Sequence, residues 1–113
     1  MKLVALFLAG LSIAMALPLH AEEDAAAKRG LGLAQQVCSE CHAVRAQQLQ
    51  SPNARAPTFL ALATTPGMTS TALTVALTTP HAGMPMFRLT ADQRESIIAY
   101  ILGLKQAGSL PGK

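Results

Sequence analysis

Both cysteines of the chain lie in one five-residue string, Cys38-Ser39-Glu40-Cys41-His42, and that fact constrains everything around it. A multi-disulfide framework is excluded, because it needs several well-separated pairs. A bridge between Cys38 and Cys41 would close a very short loop and constrain little of the unfolded chain. The 113 residues leave room for one domain. A domain of that size buries a modest share of its surface, and with 4% aromatic residues and no Trp its core is thin. A large group held inside would supplement such a core better than a short-loop disulfide.

The string offers three chemistries. A structural zinc site needs four ligands, and outside the string the chain has only His20 and His81 as nitrogen donors. A thioredoxin-like thiol pair belongs at a helix start near a βαβ pattern; here a helical stretch precedes the cysteines and no strand alternation follows. The third reading is covalent haem attachment. Two thiols three positions apart can add across the two vinyl groups of one haem, and the adjacent imidazole is then carried beneath the iron. The expected site is one covalent haem c held by Cys38 and Cys41, with His42 as the proximal iron ligand.

Opposite His42, the candidates are Met84, Met86 and His81, all within Thr79-Pro80-His81-Ala82-Gly83-Met84-Pro85-Met86-Phe87. A thioether is a soft neutral donor, and His/Met ligation raises the haem potential. Gly83 and Pro85 tighten the loop on either side of Met84, which makes it the expected distal ligand ahead of Met86 and then His81. Met68 follows a turn and reads as core or surface. With both axial positions filled by protein, no site remains for a substrate, so the chain reads as a single-electron carrier and not an enzyme. Other readings are a cytochrome subunit of a larger dehydrogenase or oxidase, a haem sensor with a labile sixth position, and a thiol–disulfide protein.

Compartment and partners follow from the ends of the argument. Lys2 precedes an uncharged apolar run from Leu3 to Leu19, followed by acidic residues from Glu22, which is the pattern of a secretory signal. The run is short for a bilayer span, which needs about 20 residues. Residues 1–21 are therefore expected to be a signal peptide, cleaved after Ala21 or else after Ala16, with an uncleaved anchor as the alternative. The domain is then 22–113, in the periplasm. Loss of Lys2 leaves eight basic against six acidic residues. No arginine-rich stripe with interleaved aromatics is present, so neither DNA nor other nucleic acid is expected as a partner. Redox protein donors and acceptors are, including a membrane-bound redox complex, with the chain itself a monomer.

Four helical pieces can be placed, making the class all-α. The first spans about Asp24 to Gln36, with Leu31, Leu33, Ala34 and Val37 as its apolar stripe. Gly30 and Gly32 weaken its propensity and suggest a close neighbouring backbone. Ser51-Pro52-Asn53 marks a turn in a polar loop. Pro57 suits the first position of a short helix carrying Phe59, Leu60 and Leu62. Thr69 or Ser70 caps a third helix through Leu73, Ala76 and Leu77, which Pro80 stops. Thr90-Ala91-Asp92-Gln93 fits a capping box, Ile97, Tyr100, Ile101 and Leu104 recur at helical spacing, and Gly108 ends the pattern.

Taken together, these residues resemble the class I cytochrome c family over nearly the whole chain after the leader. The likeness rests on Gly30 eight residues before Cys38, the haem string, Ala56-Pro57-Thr58-Phe59, and Met84-Pro85 sixteen positions before Tyr100 in the terminal helix. The resemblance implies a cytochrome c-like fold of about four short helices around one covalent haem. It implies crossed N- and C-terminal helices, with Gly30 against the face carrying Ile97 and Tyr100, and the Pro57 carbonyl facing the His42 Nδ1–H. Two features depart from the family: Ala34 stands where an aromatic is common, and the propionate-side Trp of some members is missing.

Overall fold

The computed structural model describes residues 17–109, so the expected secretory segment 1–21 lies for the most part outside the described residues. Four helices follow in order: α1 (Leu17–Val37), α2 (Phe59–Thr64), α3 (Ser70–Thr78) and α4 (Ala91–Ser109). There is no strand among the described residues. The architecture is all-α with a cytochrome c-like arrangement, α1 crossing α4 and the two short helices packing on α4 as well.

The α1–α4 crossing is made possible by one residue. A Cβ added to Gly30 would sit inside the Ser96 carbonyl and 2.8 Å from Tyr100 Cβ, so the two backbones meet where no side chain intervenes. Gly32, which the sequence marks as a second close approach, has nothing within 4 Å of such a Cβ. Two positions along a helix are about 200° apart around its axis, so Gly32 faces away from α4. Around the crossing the core gathers Ala34, Val44, Phe59, Ala63, Leu73, Ile97, Ile98, Ile101 and Leu104. Ile97 is fully buried at its centre.

Helix boundaries follow local capping. Thr90 N–H donates to Gln93 Oε1 at 3.0 Å and Gln93 N–H to Thr90 Oγ1 at 3.2 Å, the reciprocal capping box read from the sequence. Thr69 caps α3 by accepting from Ala72 N–H at 3.1 Å. α1 starts at Leu17 rather than Asp24, because Ala and Glu between 21 and 27 extend the helix through an exposed, unpacked stretch. α4 runs through Gly108 to Ser109: a Cβ there would meet Thr64 Cγ2 at 2.6 Å, so this glycine lets α2 approach instead of ending the helix.

Pro57 does not open α2. Thr58 is the N-cap, extended at φ −66° and ψ 152°, and its hydroxyl accepts from Ala61 N–H at 3.0 Å. Pro57 therefore stays outside the helix, with its carbonyl uncommitted to the helical ladder.

Candidate functional site

α1 ends at Val37, and the Cys38–His42 string continues as a tight turn. Cys38 N–H donates to Ala34 O at 2.9 Å, Cys41 N–H to Cys38 O at 3.2 Å and His42 N–H to Cys38 O at 2.9 Å. This near-helical winding brings the two cysteines, three positions apart, onto neighbouring directions of one turn. The following loop folds back on the turn: Asn53 N–H donates to Cys41 O at 3.1 Å, Ala43 N–H to Ser51 Oγ at 3.0 Å and Phe59 N–H to Ala43 O at 2.9 Å. The carbonyls that a helix end leaves without partners are thus taken up by backbone from a loop many residues on.

His42 is held by two contacts. Its Nδ1 lies 2.7 Å from Pro57 O, and its ring centroid is 5.5 Å from that of buried Phe59. A carbonyl oxygen can only accept, so the hydrogen bond places the proton on Nδ1 and leaves the Nε2 lone pair for a metal. Phe59 in turn lies 6.4 Å from the Tyr100 ring, and Tyr100 Oη donates to Val44 O at 2.6 Å. The imidazole is thereby tied through α2 to the α1–α4 crossing.

The cysteines are free thiols, Cys38 buried and Cys41 half-buried. Burial pushes the Cys38 thiol up to about 11. A thiol–disulfide exchanger needs the reverse, a nucleophilic cysteine with a lowered pKa. No group of three or more His, Cys, Asp or Glu side chains that could hold a metal ion occurs among the described residues. The donor set fits a haem: two thiols on one turn, an imidazole of fixed tautomer directly after them, and no competing polar ligands around it.

Met84 sits in the loop between α3 and α4. Gly83, at φ +82°, takes a left-handed conformation that favours glycine. The turn closes with Met84 N–H donating to His81 O at 3.4 Å and an antiparallel bridge between those residues. Met84 is half-buried, while His81 is exposed and Met86 is 52% exposed. No hydrogen bond or ring contact among the described residues joins Met84 to the cysteine–histidine string. Burial accords with the sequence preference for Met84 over Met86 and His81. Sequence reading did not identify Thr58, Ser51 or Val44 as supports of the site. Thr58, a capping-type residue directly before an apolar helix, carried a usable signal; the other two act through backbone or long-range contacts that have none.

A family model described as cytochrome C oxidase, cbb3-type, subunit III matches residues 25–101, well over half of the chain. Nothing among curated proteins or solved structures matches it.

Proposed function

The chain belongs to the cytochrome c family described as cbb3-type oxidase subunit III, and from that premise we propose that it is an exported single-electron carrier with one covalent haem c and His/Met ligation. Family membership makes it a haem-binding electron carrier. The finer reading assigns Cys38 and Cys41 to the haem thioethers, His42 to the proximal iron position and Met84 to the distal one. The observation that carries it is the 2.7 Å contact between His42 Nδ1 and Pro57 O, which fixes the tautomer and orientation a proximal ligand requires.

When bound, the haem supplies a one-electron ferric–ferrous couple whose coordination changes little. The protein's part is positional. The Cys38–His42 turn anchors the group, Pro57 and Phe59 hold the His42 ring, and the Gly83 turn presents Met84 from the loop before α4. The apolar residues around Phe59 and Ile97 keep water away from the proximal side. With protein donors at both axial positions, no position is left for substrate turnover, and the chain acts as a carrier and not as an enzyme.

The apolar segment after Lys2 supports export to the periplasm, with the leader removed after Ala21. The family description favours a second role, transfer within a membrane-bound redox complex as one of its subunits. No helix among the described residues is long and apolar enough to cross a membrane. Co-purification with an integral membrane oxidase would support the subunit role, and recovery from a periplasmic extract as a monomer the free carrier.

The decisive test is the protein exported from a haem-competent host. The expected spectrum is low-spin and six-coordinate in both oxidation states, with the weak near-infrared charge-transfer band of thioether-bound ferric haem. The haem should stay with the polypeptide through denaturation and acidic organic extraction. Release of free haem under that treatment would sink the covalent assignment.

A further inference from the structure

Leu77 and Thr78, at the end of α3, face the segment Met86–Leu89 and Arg94 of α4 across a cleft of about 360 Å³. Its lining has two parts. Leu77, Met86, Phe87 and Leu89 form an apolar wall, and Arg88 and Arg94 are the only charged side chains in it. Neither guanidinium has a carboxylate within ion-pair distance; the one ion pair among the described residues is His20–Glu23, far away in sequence on α1. Met86 leaves half of its surface in water, although most of its apolar neighbours are covered.

These features point to an anionic protein surface as occupant. Two like charges around one cleft, unneutralised from within, attract an acidic partner and repel a basic one. Guanidinium groups suit carboxylates, which they can bind through paired hydrogen bonds. Arg and Met are enriched in protein interfaces, and the flexible thioether of Met86 adapts to what enters. The cleft also continues the loop that carries Met84, two residues before Met86.

We propose that this cleft docks an acidic redox partner, an apolar partner side chain entering beside Leu77, Met86 and Leu89 while flanking carboxylates pair with Arg88 and Arg94. The proposal rests on the electron-carrier reading and adds the chemistry of the partner to it. A space of this size accepts a large apolar side chain, so the contact combines burial with charge and does not reduce to general attraction between opposite charges.

The test is a titration of isotope-labelled, haem-loaded protein with the capped peptide Glu-Glu-Leu-Phe-Glu-Glu at low salt, followed through backbone amide shifts. Shifts are expected to cluster on residues 77–78 and 86–94. The double variant R88Q/R94Q, its fold checked by circular dichroism, should bind at least about fivefold more weakly. Replacing Leu-Phe in the peptide by Ser-Ser should weaken binding by a similar factor, whereas R55Q, in a different loop, should leave it unchanged. Four results would each overturn the proposal: no binding at millimolar peptide, shifts centred elsewhere, equal affinity for R88Q/R94Q, or equal affinity for a peptide with Lys in place of Glu. Failure of the carrier reading is separately visible, as a chain that exports without a covalent haem.

Discussion

Gly30 and Gly32 are two residues apart on the same helix, yet alanine at these positions should change stability in opposite directions. Intrinsic propensity favours alanine at both by about 1 kcal/mol. At Gly32 nothing opposes that gain, because no atom lies within 4 Å of the added methyl. At Gly30 the methyl would meet the Ser96 carbonyl and come within 2.8 Å of Tyr100 Cβ, against an ordinary contact distance of 3.4–4 Å. The obstacle is backbone, so the helices themselves must part, by about 1 Å. A gap of that size forfeits roughly a quarter to a half of the dispersion attraction across the contact, and the crossing holds Ile97, the most deeply buried large side chain. Overpacking of this kind costs about 3 kcal/mol at the upper end of its usual range. Set against the propensity gain, Gly30→Ala should destabilise by about 2 kcal/mol, or roughly 10 °C in Tm for a domain of this size. Gly32→Ala should raise Tm by several degrees. Thermal unfolding of the haem-loaded proteins, followed by circular dichroism, measures both. Equal melting of Gly30→Ala and the parent, or a matching loss in Gly32→Ala, would refute the assignment of the close crossing to Gly30.

Three further predictions concern the site. Met84→Ala should lower the potential and open the reduced iron to carbon monoxide, whereas Met86→Ala should do neither; the reverse outcome in a redox titration and ligand-binding spectrum would transfer the distal role to Met86. Burial holds the Tyr100 phenol above its ordinary pKa of 10.0, opposed by the nearby Arg45 charge, so its stabilisation is complete below pH 10 and is lost as pH rises through the folded value. Tyr100→Phe should cost about 1 kcal/mol at neutral pH through the lost bond to Val44 O and show a smaller alkaline loss in denaturant midpoint; identical alkaline curves would exclude Tyr100 as the titrating group. Thr58→Val should raise the haem potential as well as lower stability by about 1 kcal/mol, and Thr58→Ser should restore both; an unchanged potential would separate the cap from the iron ligand.

Much of this fold is legible in residue order because its signals are local. Thr90 to Gln93 announces the start of α4, Thr69 that of α3, and the cysteine–histidine string its own chemistry. What is not legible depends on which way a helix faces after it docks. Gly30 and Gly32 present the same residue type on the same helix, and only the position of Ser96, more than sixty residues away, separates a close approach from an open face. Gly108 looks like a helix stop because glycine commonly is one; instead it accommodates the Thr64 side chain from α2. Arg88 and Arg94 read as scattered surface charges until α3 and α4 bring them to one cleft.

The placement of Pro57 shows how a boundary of two residues carries functional weight. If Pro57 were the first residue of α2, its carbonyl would accept from Ala61 N–H, as helical geometry requires. Thr58 prevents this by offering its hydroxyl to that same N–H at 3.0 Å. The Pro57 carbonyl is then free to turn to His42 Nδ1, 2.7 Å away. A proline there has no N–H of its own to satisfy, and its fixed φ limits how far the carbonyl can swing. The imidazole, gripped at Nδ1, can present only Nε2 to a metal, and a hydrogen bond at that position raises ligand basicity. The capping preference of one threonine thus reaches the candidate iron ligand through a single backbone carbonyl, with no side-chain contact between Thr58 and His42 required.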